Sequence, residues 1–198
     1  MTAAQATYPT LAATFWPEGK TSPVTRNVIL AFAGTVLLWL SAKIQVPYYP
    51  VPATMQTLVV LALGVAYGAR LGAATMALYL LEGAVGLPVF AGTWSEGGGF
   101  HHLVGPTAGY LFGFVVAGGV TGWLAERGWD RNIIFTALAM VIGNLIIYAL
   151  GVSWLASMSS LDFAIKNGLV PFLALDAIKI ALATCALPIA WRVSSRKS

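Results

Sequence analysis

The chain has 198 residues, 58% of them hydrophobic and 9% charged, with a single cysteine and a formal net charge of +4. A soluble domain carries about a quarter charged residues, so the composition excludes one and leaves an integral membrane protein. Cys185, alone in the last apolar stretch, excludes a disulfide framework and a cysteine metal site. The basic residues are scattered singly at segment ends, which does not make a nucleic-acid surface.

In chain order, residues 1–25 are polar to mildly apolar, with Pro9, Pro17 and Pro23, and have no basic stretch running into a short apolar core. They read as a tail rather than a signal peptide. Six apolar runs follow, at about 28–42, 55–67, 71–85, 106–125, 132–155 and 169–191. A crossing needs roughly 20 residues. The second and third runs are short and are separated only by GAR around Arg70. Residues 193–198 form a basic C-terminal tail. The expected fold class is therefore all-α, a membrane domain of six transmembrane helices over 26–192.

Lys and Arg collect on the cytoplasmic side of short loops. With the N-terminus inside, Lys20, Arg26, Arg70, Arg127, Arg131, Arg192, Arg196 and Lys197 fall on one side, and only Lys43 and Lys166 on the other. Eight against two places both termini in the cytoplasm. Three connections then face outward: a Pro-rich one at 43–54, a long one at 86–105, and SMSSLDFAIKNG at 157–168. The long loop holds Phe90, Trp94 and Phe100, which a solvated linker would waste, so it reads as a lid or binding loop. His101 and His102 lack a third ligand nearby and read as a structural or solvent-facing pair rather than a metal site.

The ionisable residues inside the runs are Glu82, Asp176 and Lys179, with Asn144 as an uncharged companion. A charge at the bilayer centre costs about 2.5 to 3.5 kcal/mol. Asp176 and Lys179 are three apart, so their side chains share one helical face, and they lie in the outer half of the sixth run. Together they suit a small amphiphilic acid: Asp176 offers two acceptor oxygens, Lys179 a movable positive charge. Glu82 lies near the outer end of the third run. Asn144, near mid-span, either bonds across helices or lines the pocket. Ala31 and Thr35, with Ala33 and Gly34 beside them, give the first run a face of small residues. Such a face lets another helix approach closely, from within the protein or from a partner.

The chain has no GxxxxGK[ST], HExxH, nucleophile elbow or Cys-His pair. It reads as a binder or transporter of a small molecule, not an enzyme, and without inverted repeats it does not read as a self-contained secondary carrier.

VPATMQTL at 51–58, YLLEGAVGLPVFAG at 79–92, GPTAGYLFGF at 105–114 and the Asp-x-x-Lys of LALDAIKIALA together resemble the BioY family, the biotin-specific S components of energy-coupling factor transporters. The resemblance covers about 26–192. It implies the S-component fold in the cytoplasmic membrane of a prokaryote, with biotin as transported ligand and no cofactor or metal. The implied partners are a transmembrane coupling protein and two ATPase subunits; the alternative is a stand-alone biotin carrier. By motif, Asp176 accepts from the ureido N–H groups, and Lys179 orients Asp176 or reaches the ligand. Thr54 and Gln56 make polar contacts or shape the first loop, and Phe90, Trp94 and Tyr110 pack on the thiophane ring and valeryl chain. Asn144 completes the expected set, and Ala31 and Thr35 mark the coupling-protein contact. The partner of the biotin carboxylate stays unassigned.

Overall fold

The computed structural model describes residues 8–17, 21–92 and 98–195. Its helices are α1 (Leu11–Phe15), α2 (Pro23–Lys43), α3 (Gln56–Tyr67), α4 (Ala69–Ala84), α5 (Ala108–Ala125), α6 (Ile133–Met158), α7 (Leu161–Gly168) and α8 (Val170–Ser195). A short antiparallel pair, β1 (Gln45–Val46) and β2 (Ala53–Thr54), closes the Pro-rich connection, with Gln45 opposite Thr54. Four stretches are long and apolar enough to cross a membrane: α2, α5, α6 and Leu161–Leu187, which joins α7 to most of α8. The helix α3 is apolar but only 12 residues long, and α4 has 16.

Small residues decide how closely these helices pack. A Cβ on Gly64 of α3 would come within 2.7 Å of the Gly118 carbonyl oxygen on α5, and one on Gly72 within 3.1 Å of Gly64 Cα. The backbones of α3, α4 and α5 therefore touch, as small residues permit where lipid supplies no hydrophobic drive between helices. The reversal between α3 and α4 is made by Gly68 alone, at φ +83° and ψ 175°, a conformation that side chains other than glycine's rarely adopt. The core runs along this contact, with Val60, Leu61, Met76, Tyr79, Ala117 and Met140 fully enclosed.

Three features differ from the sequence reading. SMSSLDFAIKNG contains a helix, α7, capped at its start by Ser160, whose hydroxyl accepts from Phe163 N, and crossed by a Lys166–Asp162 ion pair at 2.9 Å. One face of it buries Ala164 and Gly168, and its eight residues are too few to register as an apolar run. The expected tail at 1–25 also does not trail from the bundle in its described part. Thr10 caps α1 by accepting from Ala13 N, Leu11 and Ala12 are buried, and Tyr8 N donates to the Glu126 carbonyl at 2.8 Å. Finally, α2 begins at Pro23, where Ser22 caps it and proline suits a first turn.

Candidate ligand-binding site

The site forms where the β1–β2 connection, the segment before α5, and helices α5, α6 and α8 converge. They enclose a cavity of about 330 Å³, within the range of small-molecule sites.

At its floor stand Asp176 and Lys179, 3% and 7% exposed. The spacing that put them on one face of α8 brings Lys179 Nζ to 2.6 Å from Asp176 Oδ1. Thr57 on α3 bonds both: its hydroxyl donates to Asp176 Oδ1 at 3.1 Å and accepts from Lys179 at 3.0 Å. Lys179 also donates to the Thr54 carbonyl at 2.6 Å. The second oxygen of Asp176 accepts from Tyr148 Oη at 2.5 Å and from Asn144 Nδ2 at 3.3 Å. A buried ion pair is tolerated when its remaining lone pairs and protons are satisfied, and these bonds do that.

The walls are aromatic and apolar. Phe90 packs edge-on against Tyr79, with centroids 5.5 Å apart, and sits where a Cβ on Gly83 would collide with its ring. Tyr110 lines the cavity with its ring and donates its hydroxyl to the Gly168 carbonyl at 2.8 Å, fixing the turn from α7 to α8. A Cβ on Gly151 would collide with the edge of that ring, at its Cδ1 and Cε1. The wall is tied to the first connection by Lys43 Nζ on the Phe90 carbonyl (2.9 Å) and Gly92 N on Gln45 Oε1 (3.2 Å).

The residues singled out from sequence divide into several groups. Asp176, Lys179, Thr54, Gln56, Phe90 and Tyr110 all line the one cavity. Gln56 holds the frame: it is 3% exposed, takes a bond from Thr54 Oγ1 and donates to Tyr79 Oη at 2.7 Å. Asn144 is not among the cavity's lining residues. It reaches Asp176 from the side, and its Oδ1 is buried without a partner among the described residues. Trp94 lies outside the described residues. Thr35 faces inward: it is 2% exposed, and its hydroxyl lies 3.0 Å from Glu82 Oε1 as the donor. Gly34 packs on Thr75 and Tyr67, and the exposed side of α2 is made of Phe32, Ala33, Val36, Leu37 and Leu40, with Ala31 half-buried. His101 and His102, read from sequence as a structural or solvent-facing pair, both line the cavity.

Thr57 and Tyr148 were not singled out in the sequence. Tyr148 had a signal, being four residues after Asn144 and hence on the same face of α6; Thr57 had none, since Thr54 belongs to β2 and α3 starts only at Gln56.

An all-helical bundle with several membrane-length apolar helices and a buried charged pair lining an internal cavity has the build of a multi-pass membrane protein. The BioY family profile matches residues 9–196, and the chain belongs to the BioY family. It is 41% identical over 159 residues to the biotin transporter BioY of Thermotoga maritima, covering 80% of this chain and 91% of that one. It is 36% identical over 170 residues to the biotin transporter BioY of Rhizobium etli, covering 80% and 89%. Among solved structures, the S-component for biotin from an ECF-type ABC transporter, at 2.1 Å, matches with a TM-score of 0.70. That match covers 91% of this chain and 96% of the other at 22% identity, and so establishes a common fold. These relatives are transport proteins, not enzymes.

Proposed function

We propose that the chain captures biotin as the substrate-specific S component of an energy-coupling factor transporter in the cytoplasmic membrane of a prokaryote. The observation that carries this is the Asp176–Lys179 pair at the floor of an aromatic-walled cavity, in a chain whose relatives are named biotin transporters. A cyclic urea offers two N–H donors and one carbonyl acceptor. Asp176 accepts from the N–H groups, displacing the long Asn144 bond, and the Thr57 or Tyr148 hydroxyl turns to the urea oxygen. Lys179 orients Asp176, and the rings of Phe90 and Tyr110 cover the apolar body.

The helices α2, α3, α4, α5, α6 and α8 make six crossings with both ends in the cytoplasm, as the eight-to-two partition of basic residues supports. The cavity then opens outward. Having no nucleotide-binding motif, the chain relies on two ATPase subunits through a transmembrane coupling protein. That protein docks along α2 on the side of Ala31, while Thr35 supports the helix from within through Glu82.

Titration of the detergent-purified protein with biotin tests this: the chain alone binds, and Asp176→Asn binds at least about tenfold more weakly. Absence of binding by the unmutated chain sinks the proposal. Uptake in cells with and without a coupling module separates the S component from a stand-alone carrier.

A further inference from the structure

The proposed ligand carries a carboxylate, and the floor of the cavity has no cationic donor left for it. An ammonium has three N–H donors, and Lys179 spends them on the Thr54 carbonyl, Thr57 Oγ1 and Asp176 Oδ1 at 2.6, 3.0 and 2.6 Å. With Asp176 beside it, the pair is neutral toward an incoming anion.

Among the described residues lining the cavity, the other side chains able to carry positive charge are His101 and His102. They stand on the helical turn Phe100–Leu103, in the segment that precedes α5. Asp176, by contrast, is a turn and a half inside α8, roughly 9 Å from Val170 along the axis. The two imidazoles stack with centroids 4.2 Å apart. His102 rests on Phe90 at 5.3 Å, and Phe90 rests on Tyr79, whose hydroxyl donates to the Val89 carbonyl at 2.6 Å. The pair is therefore held against the aromatic wall that the ligand's apolar body would follow.

We propose that His101, braced by the His102 ring stacked on it, forms the anion end of the site. Its imidazole donates an N–H bond to the carboxylate of a ligand whose ureido head lies on Asp176, and so selects the acid over its neutral derivatives. This rests on the biotin reading above and assigns the group that reading leaves without a partner. A neutral imidazole donates one such bond, and an imidazolium adds charge to it.

The test is titration of the full-length purified protein with biotin, and with biotin methyl ester and biotinol, which keep the head and lose the charge. The unmutated protein should bind biotin at least about tenfold more tightly than either neutral compound. In His101→Gln/His102→Gln that preference should vanish through weaker biotin binding alone, with affinity for biotinol kept, and His101→Arg should retain the preference. Equal affinity of the unmutated protein for biotin and biotinol overturns the assignment, as does a double variant that still prefers the acid. If the double variant binds neither compound, the comparison on unmutated protein and the single His101→Gln variant decide by the same criteria. An unmutated chain that binds none of the three overturns the biotin reading itself and the assignment with it.

Discussion

Lys179 on α8 donates to the main-chain carbonyl of Thr54 at 2.6 Å, so the charged floor of the cavity is bonded to the strand β2 that closes the first connection. A side chain can be replaced without altering that acceptor, which makes the link a property of Lys179 alone.

Removing the cation should therefore cost more than one ion pair in water would. Lys179→Met removes the partner of a buried carboxyl group, and breaking a buried ion pair from one side costs about 3–5 kcal/mol. A clear fall in melting temperature in detergent is expected. The double variant Asp176→Asn/Lys179→Met should recover most of that stability while remaining unable to bind biotin. A Lys179→Met protein that melts like the unmutated one would show the pair to be solvated.

Thr57 bonds both charges but carries none. Thr57→Val keeps the shape and removes the hydroxyl, and hydrogen bonds to charged groups contribute about 1.5–3 kcal/mol each. Biotin affinity should drop by about tenfold or more with the helical circular dichroism unchanged. Unchanged affinity would place Thr57 outside the ligand's reach.

Tyr110 is placed by what faces it. A Cβ on Gly151 would occupy the space of its ring, and overpacking costs about 1–3 kcal/mol. Gly151→Ala should lower the melting temperature and weaken biotin binding together, because displacing Tyr110 also breaks its bond to the Gly168 carbonyl. Gly151→Ala with Tyr110→Leu should regain stability. If the single variant behaves as the unmutated protein, α5 and α6 have slack that this packing denies.

How far the sequence displays this site depends on whether partners share a helix. Asp176 and Lys179 were legible because three residues of spacing settle their contact on any helix, and the long runs that became α5, α6 and α8 were legible from length and hydropathy. The bonds from Thr57 and Tyr148 to Asp176 were not, since they join α3 and α6 to α8 across 119 and 28 residues and depend on how the helices are rotated. Rotation also decides Thr35: small-residue spacing marks a close approach without naming the neighbour, and the neighbour is α4. The helix α7 escaped notice because amphipathic stretches of a single turn or two look like loop in a hydropathy reading.

At the end of the bundle away from the cavity, Asp130 is buried and accepts from Trp191 Nε1 at 2.6 Å, while the Arg131 guanidinium lies over the rings of Tyr8 and Trp191 at 4.6 and 4.5 Å. Burial raises the Asp130 carboxyl above its usual value of 3.8, against the opposing pull of Trp191 and Arg131. The sign follows from proton counts: between the unfolded and folded pKa values the folded chain holds a proton that the unfolded chain has lost, so stability falls as pH rises through that window. Asp130→Asn keeps an acceptor for Trp191 and removes the buried charge. It should therefore melt higher than the unmutated protein at neutral pH, with the difference shrinking as pH is lowered through the window. Melting curves in detergent from mildly acidic to neutral pH check this. A variant that instead melts lower at neutral pH would mean that ionised Asp130 is held by Arg131 strongly enough to outweigh its burial.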